Sequence, residues 1–333
     1  MPTYPSDLEI VQWAREAVAG TDLATTSKVI TERFNPVPSS PEAYRPTLQR
    51  GLMLANRGGE SVIQRGTDWT LEGPLTFEQA QHHFNGVIAN VASPTGSGPY
   101  IWTHTRNPAN MPSLASYTFE RRFNDGATPI GQAFHYAMYR ELELTFQTNE
   151  VWMYNASGFA RRVKTETLTP AISLPTHEIC LVPNTSIFID DDWASLGGTQ
   201  VEGQILSGTI RFGSGAAPLW TADGRSDLDF GAIAYASGRT TLEVELTMLL
   251  GAQYATEKTA AEALALRAMR VQIDGSDANH QIQLDMLLKY RTPELYAVDY
   301  DDETTIVTLD LVGSTDGTNA WLAKVTNQVS AFA

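Results

Sequence analysis

Cysteine is almost missing from this chain: Cys180 is the one example in 333 residues. That excludes an internal disulfide and any cysteine-rich metal centre. Cys180 lies in E-I-C-L-V-P, where a free thiol behaves as a small apolar strand residue. Such a chain folds comfortably in a reducing compartment. Long apolar runs are also lacking, and none reaches the roughly 18 residues of a membrane-crossing helix. The opening M-P-T-Y-P-S-D-L-E-I carries neither the basic nor the apolar region of a secretory leader. A chain that is neither exported by that route nor membrane-spanning is expected. Positive charge is scarce, with 23 Lys and Arg against 38 Asp and Glu, a net charge of −15. A protein that grips nucleic acid by its phosphates needs the opposite balance. This one repels polyanions.

Catalytic motifs are missing as well. G-S-G-P (96–99) and G-S-G-A (213–216) are followed by no Lys-Ser/Thr on a helix, so neither is a phosphate-binding loop. The six histidines form neither H-x-x-x-H nor H-E-x-x-H, and the adjacent His82 and His83 face different directions on a helix. Asp190-Asp191-Asp192 lacks the spaced acids and the glycine of a calcium loop and reads as a solvated turn. No metal, cofactor or catalytic residue is assigned.

What is present is strand. Residues 69–76 alternate Trp69, Leu71, Gly73 and Leu75 against Thr70, Glu72, Pro74 and Thr76, the period of a half-buried strand. Pro74 suits a strand end or edge. Residues 77–88 read as a helix, capped by Thr76 and Gln79. Further strands are expected over 116–123, 134–147, 151–154, 178–182, 185–189 and 204–212. In the second of these six runs Leu142, Leu144 and Phe146 oppose Glu141, Glu143 and Thr145, and in the sixth Leu206, Ile210 and Phe212 oppose Ser207, Thr209 and Arg211. Residues 213–238 read as a long loop rich in Gly, Ser and Asp. Residues 241–248 alternate most cleanly, with Leu242, Val244, Leu246 and Met248 against Thr241, Glu243, Glu245 and Thr247. A helix is expected over 257–267, from strong helix formers, then strands over 269–274, 282–290, 295–299, 304–312 and 321–325. Near the start, Ser6 and Glu9 resemble a capping box for a helix over 7–19. An extended arm broken at Gly20 fits equally.

T-L-E-G-P-L-T (70–76) returns as T-L-E-V-E-L-T (241–247), each copy followed by a helix and then strands. Repeats set architecture, and the reading is a duplication: an arm over 1–66, one β domain over 67–200 and a similar one over 201–333. The fold class is mainly β, two tandem sandwich or barrel domains each with a short helix. A sheet wet on one face with open edges invites pairing with another chain, and a ring closes such edges. Thr70, Glu72, Glu243, Glu245 and Thr247 would then line an acidic lumen. An ordinary solvated outer face fits the same composition.

The order of motifs resembles a known family. W-A-R-E-A-V-A-G-T (13–21) resembles the E-x-x-x-G-T opening of tail tube proteins of long-tailed, siphovirus-type bacteriophages. Y-R-P-T-L-Q-R-G (44–51) and G-T-D-W-T-L-E-G-P-L-T-F-E-Q (66–79) are similar to the segment entering that family's first inner strand and helix. G-P-Y-I-W-T-H-T (98–105), P-S-L-A-S-Y-T-F-E (112–120), I-F-I-D-D-D-W-A-S-L-G-G-T-Q (187–200), P-L-W-T-A-D-G (218–224) and L-D-F (228–230) follow in the family's order. The resemblance implies a structural virion protein, assembled in the host cytoplasm, whose stacked rings form an inner β-barrel. DNA passes through it without specific binding. The implied partners are further copies of the chain, three two-domain subunits or six, with the tape measure, tail terminator and distal tail proteins. Trp69, Trp193 and Trp220 are candidates for subunit contacts, and tryptophans of this kind, Trp102 and Trp152 included, serve equally as core anchors. A β-rich carbohydrate-active enzyme or glycan binder is the alternative, because Glu243 and Glu245 form a carboxylate pair of the sort glycosidases use.

Overall fold

The computed structural model describes residues 9–38, 43–44, 61–123, 130–222, 228–292, 298–301 and 304–332. The strands run in the order β1 (Ile10–Arg15), β2 (Ser27–Lys28), β3 (Arg33–Pro38), β4 (Ala43–Tyr44), β5 (Ser61–Val62) and β6 (Thr67–Pro74). Helix α1 (Ala80–Val87) follows, then β7 (Tyr100–Arg106), β8 (Tyr117–Phe123), β9 (Ile130–Gln147), β10 (Met153–Ala160), β11 (Lys164–Thr165) and β12 (Thr185–Asp190). The rest are β13 (Ile205–Leu219), β14 (Ala232–Leu249), α2 (Ala252–Glu262), β15 (Leu266–Asp274), β16 (Gln281–Tyr290), β17 (Val298–Asp301), β18 (Thr304–Gly313) and β19 (Trp321–Asn327).

The chain is mainly β, and apart from the small β4–β5 pair its described strands form one continuous antiparallel network. It has three wings. The widest runs β3–β6–β10–β9–β13–β14–β18–β17. A second runs β12–β15–β16–β19–β7 and joins the first where the end of β16 meets β18. A third runs β2–β1–β8–β9–β11. One core cluster draws on all three, with Leu71, Leu144 and Val244 from the first, Val271, Leu284 and Val325 from the second, and Trp13 and Phe119 from the third. Helix α1 is buried on every side. Phe84 lies 6.3 Å from Phe212 and 6.0 Å from His104, which places the helix between the first two wings.

The strand-then-helix order of the repeated heptapeptide holds in both copies, as β6 to α1 and as β14 to α2. Several local expectations do not hold. Helix α1 begins only at Ala80 and no side chain caps it: Gln79 instead accepts the Ile30 N–H and donates to the Lys28 carbonyl, and the Thr76 hydroxyl has no partner among the described residues. Of the two readings open near the start, residues 10–15 take the extended one and form β1. Val11 through Ala14 are all buried, so the segment shows no alternation, and pairing with β8 decides its state. Residues 213–238 are not a loop at both ends: β13 and β14 extend through Leu219 and from Ala232 as one long hairpin. The second helix begins and ends five residues early, and Leu266 already belongs to β15. Residues 178–182 contribute only isolated bridges at Ile179 and Leu181. Ser6 and Asp7, most of 44–51, residues 223–224 and the start of the strand expected over 295–299 lie outside the described residues.

The E-x-x-x-G motif has a physical basis here. The buried Glu16 carboxylate accepts the Gly20 N–H at 2.6 Å, the Tyr136 N–H at 2.7 Å and the Ser116 hydroxyl at 2.6 Å. Tyr136 has a left-handed backbone (φ 55), and there β9 passes from the third wing to the first. Gly20 has φ 79, and a Cβ on it would lie 2.8 Å from the Tyr136 ring. Burial pushes the Glu16 carboxyl upward against the opposing pull of these hydrogen bonds.

A second glycine marks the bulge between β9 and β10, where register shifts at Ser157/Gly158. A Cβ on Gly158 would lie 2.1 Å from the Met138 carbonyl and 2.3 Å from the Trp69 ring. Gly158→Ala is expected to lower stability by about 3 kcal/mol, the upper part of the overpacking range. Urea denaturation measures it, and a loss below about 1 kcal/mol would show that β10 yields easily.

Candidate functional site

Period-two alternation gives the widest wing one dry face and one wet face. Phe34, Leu71, Ala156, Leu142, Phe212 and Leu242 form one cross-strand row, and all are buried. The neighbouring row points the other way and reads Arg33, Glu72, Asn155, Glu143, Arg211, Glu243. On one side of it run Thr70, Ser157 and Glu141, then Gly213 and Thr241. On the other run Met153, Thr145, Thr209, Glu245 and Asp310, and beyond these Gln147, Ser207, Thr247 and Thr308.

All five residues picked out by alternation, Thr70, Glu72, Glu243, Glu245 and Thr247, therefore share one face of one sheet. Glu72 and Glu243 occupy a single row although 171 residues separate them, because β10, β9 and β13 bring β6 and β14 into register.

The face carries a grid of charge pairs. Arg211 stands at its centre, with Nε 2.7 Å from Glu141, Nε 3.0 Å from Glu143 and a terminal nitrogen 3.4 Å from Glu243. Arg291 reaches Glu243 at 3.1 Å and Asp310 at 2.9 Å. Arg33 meets Glu72 at 3.3 Å, and Arg140 meets Asp68 at 2.7 Å. Hydrogen bonding to Glu143 holds the Arg211 guanidinium above its usual range, and bonds to Glu243 and Asp310 do the same for Arg291. These side chains remain wet: Arg211 is 41% exposed and Glu243 37%. Arg211, Glu141 and Glu143 lay on polar sides in the sequence pattern, but nothing there gathered them into one cluster or brought Arg291 to it. A cavity of about 200 Å³ on this face is lined in part by Glu245, Thr209 and Thr145.

The tryptophan candidates divide. Trp69 is 1% exposed and donates its indole N–H to the Phe159 carbonyl at 3.3 Å, so it is core and not free for a subunit contact. Trp102 and Trp152 are core as well. Trp193 and Trp220 are half-buried.

The chain itself occupies the three aspartates at 190–192. Asp190 accepts the N–H groups of Gly197, Gly198 and Thr199 at 2.9, 3.2 and 2.9 Å. Asp191 pairs with Arg267, and Asp192 caps Ser195. His82 stacks on Trp13 with centroids 4.5 Å apart, while His83 packs on Tyr154 at 4.2 Å and meets Trp13 edge-on at 5.5 Å. Cys180 is fully buried, which pushes its thiol well above the usual range.

The chain matches no known family model and no curated protein.

Proposed function

We propose that this chain is the structural subunit of a phage-type tail tube, with the wet face of the eight-strand wing turned toward the bore. One observation carries the reading. The two repeated segments contribute Thr70, Glu72, Glu243, Glu245 and Thr247 to a single polar face, and the described wing is edged by β3 on one side and, on the other, by β17 beside the junction of β18 with β16. Open sheet ends of this kind pair with another chain. The repeats then act as two tube-like domains, 67–200 and 201–333, that share one sheet.

Strand arithmetic favours a ring of three copies over six. Three copies supply 24 strands, which at about 4.8 Å each span about 115 Å across the strands. A tilt of about 40° widens that to a circumference of about 150 Å, or about 48 Å between opposite backbones. Six copies would give about twice that width. Three fits a DNA duplex with side-chain clearance, and six leaves most of the bore empty. The partners are then identical copies, with tape measure, terminator and distal tail proteins at the ends, and the location is the virion tail.

The carbohydrate reading is weaker. Glu243 is engaged by two arginines, and the roughly 200 Å³ cavity beside Glu245 falls short of the 300–1,000 Å³ of ordinary ligand pockets. No chemistry is assigned to the face.

Negative-stain electron microscopy of the purified chain, alone and with a tail initiator, is expected to show stacked rings with threefold symmetry. Glu72→Lys, Glu243→Lys and Glu245→Lys combined should leave rings intact and slow DNA release, because added cations contact phosphates. A chain that stays monomeric under all these conditions refutes the tube, and unchanged release from the triple variant places these residues away from the bore.

A further inference from the structure

The wet face is less simply anionic than its glutamates suggest. Arg33, Arg140, Arg211 and Arg291 stand on or beside it, and each touches at least one carboxylate at 3.3 Å or less. Arg211 touches three carboxylates from two flanking strands, Glu141 and Glu143 on β9 and Glu243 on β14. Arginine is the side chain best matched to phosphate, with a planar fork of donors and a permanent charge. A bare arginine in the middle of this face is the group on which a passing phosphodiester would catch.

We infer that Glu141, Glu143 and Glu243 mask Arg211, so that the face carries a latent phosphate contact kept silent by its own carboxylates. The masking uses geometry that overall charge does not supply. Glu245 lies one row away on the same strand as Glu243 and pairs with no arginine among the described residues, as do Glu150 and Glu202. Removing those three changes net charge by the same amount without uncovering Arg211. The biological purpose rests on the DNA-conduit reading, but the masking itself does not.

The test uses the full chain, a short DNA duplex and low salt, with affinity read by fluorescence anisotropy. Glu141→Gln, Glu143→Gln and Glu243→Gln together are expected to raise duplex affinity about tenfold over the unsubstituted chain. The gain should fall with salt at a slope of about one, the signature of a single added phosphate contact. Adding Arg211→Gln should remove the gain. Glu150→Gln, Glu202→Gln and Glu245→Gln together should produce none. All of these positions are at least partly exposed, so the variants should keep the parent's melting temperature, and Glu143→Gln alone serves as a milder version of the first. The inference is overturned if the first variant binds no better than the parent, if binding survives Arg211→Gln, or if the charge-matched control gains equally. Electron microscopy of the same samples separates the two proposals: masking without rings removes the tube and keeps the masked arginine, and rings without masking do the reverse.

Discussion

Replacing Glu257 by leucine is expected to destabilise the chain by about 3–5 kcal/mol, the usual result of stripping one partner from a buried ion pair. Glu257 is completely buried on α2, and Arg267, 3% exposed at the start of β15, meets it at 2.7 and 2.9 Å. Tyr290 donates its hydroxyl to the same carboxylate. Burial, followed by the neighbouring carboxylate, pushes that hydroxyl far above its usual range, so it stays protonated and able to donate. Leucine would leave Arg267 a buried cation with Asp191 as its remaining carboxylate and Tyr290 without its acceptor. The pair Glu257→Leu and Arg267→Met removes both charges and should recover much of the loss. Urea denaturation of the single and double variants decides the point. A single-variant loss below about 1 kcal/mol would mean that α2 swings out and lets water reach Arg267.

Acid is expected to unfold the protein through its buried histidines. Desolvation pushes His83 down to about 3 and His104 down to about 4. It also lowers His82 well below its usual value, and the nearby His83, Arg15 and His104 add to that shift. Unfolded, each titrates near 6.5. Their neutral, folded state therefore contributes fully above pH 6.5 and loses ground as pH falls toward 4 and 3, since the unfolded chain binds protons first. Each histidine contributes a slope of up to about 1.4 kcal/mol per pH unit in that window. The structure offers no relief: His82 Nδ1, His83 Nε2 and His104 Nε2 have no hydrogen-bond partner among the described residues. Glu16 acts with the opposite sign, because its raised pKa favours the fold on acidification. Asp192, Asp277 and Asp316 are lowered by local hydrogen bonds, and their contributions fade only below the usual carboxylate range. Unfolding free energy measured between pH 7.5 and 5 therefore reads the histidines, offset by the opposing contribution of Glu16. It should fall steeply, and His83→Gln should shrink the slope by about a third. A flat profile over that range would show that water reaches α1.

How much of this was legible depends on what each residue packs against. β14 was readable because Leu242, Val244 and Leu246 alternate with Thr241, Glu243 and Glu245 along a strand with one wet face. β1 was not, because both of its faces are buried and a doubly buried segment carries no period. The distal half of the β13–β14 hairpin looked like loop because Gly213, Ser214, Gly215 and Ala216 have weak strand preference. Pairing of Ala216 with Tyr235 and of Leu219 with Ala232 overrides it. The second helix was displaced because A-L-A-L-R continues a helical composition past Glu262, while the Arg267–Glu257 pair commits Arg267 to β15.

Sequence by itself determined that the chain is β-rich, that two matching strands each lead into a helix, and which side of the alternating strands, such as β6 and β14, is wet. Those are local properties, set by side-chain alternation and by residues a few positions apart. Only the tertiary structure decided that the two wet strands share one face, that Arg211 stands among three glutamates there, and that Trp69 is core. Register between strands far apart in the chain sets all three, and alternation within one strand is the same for any choice of neighbour.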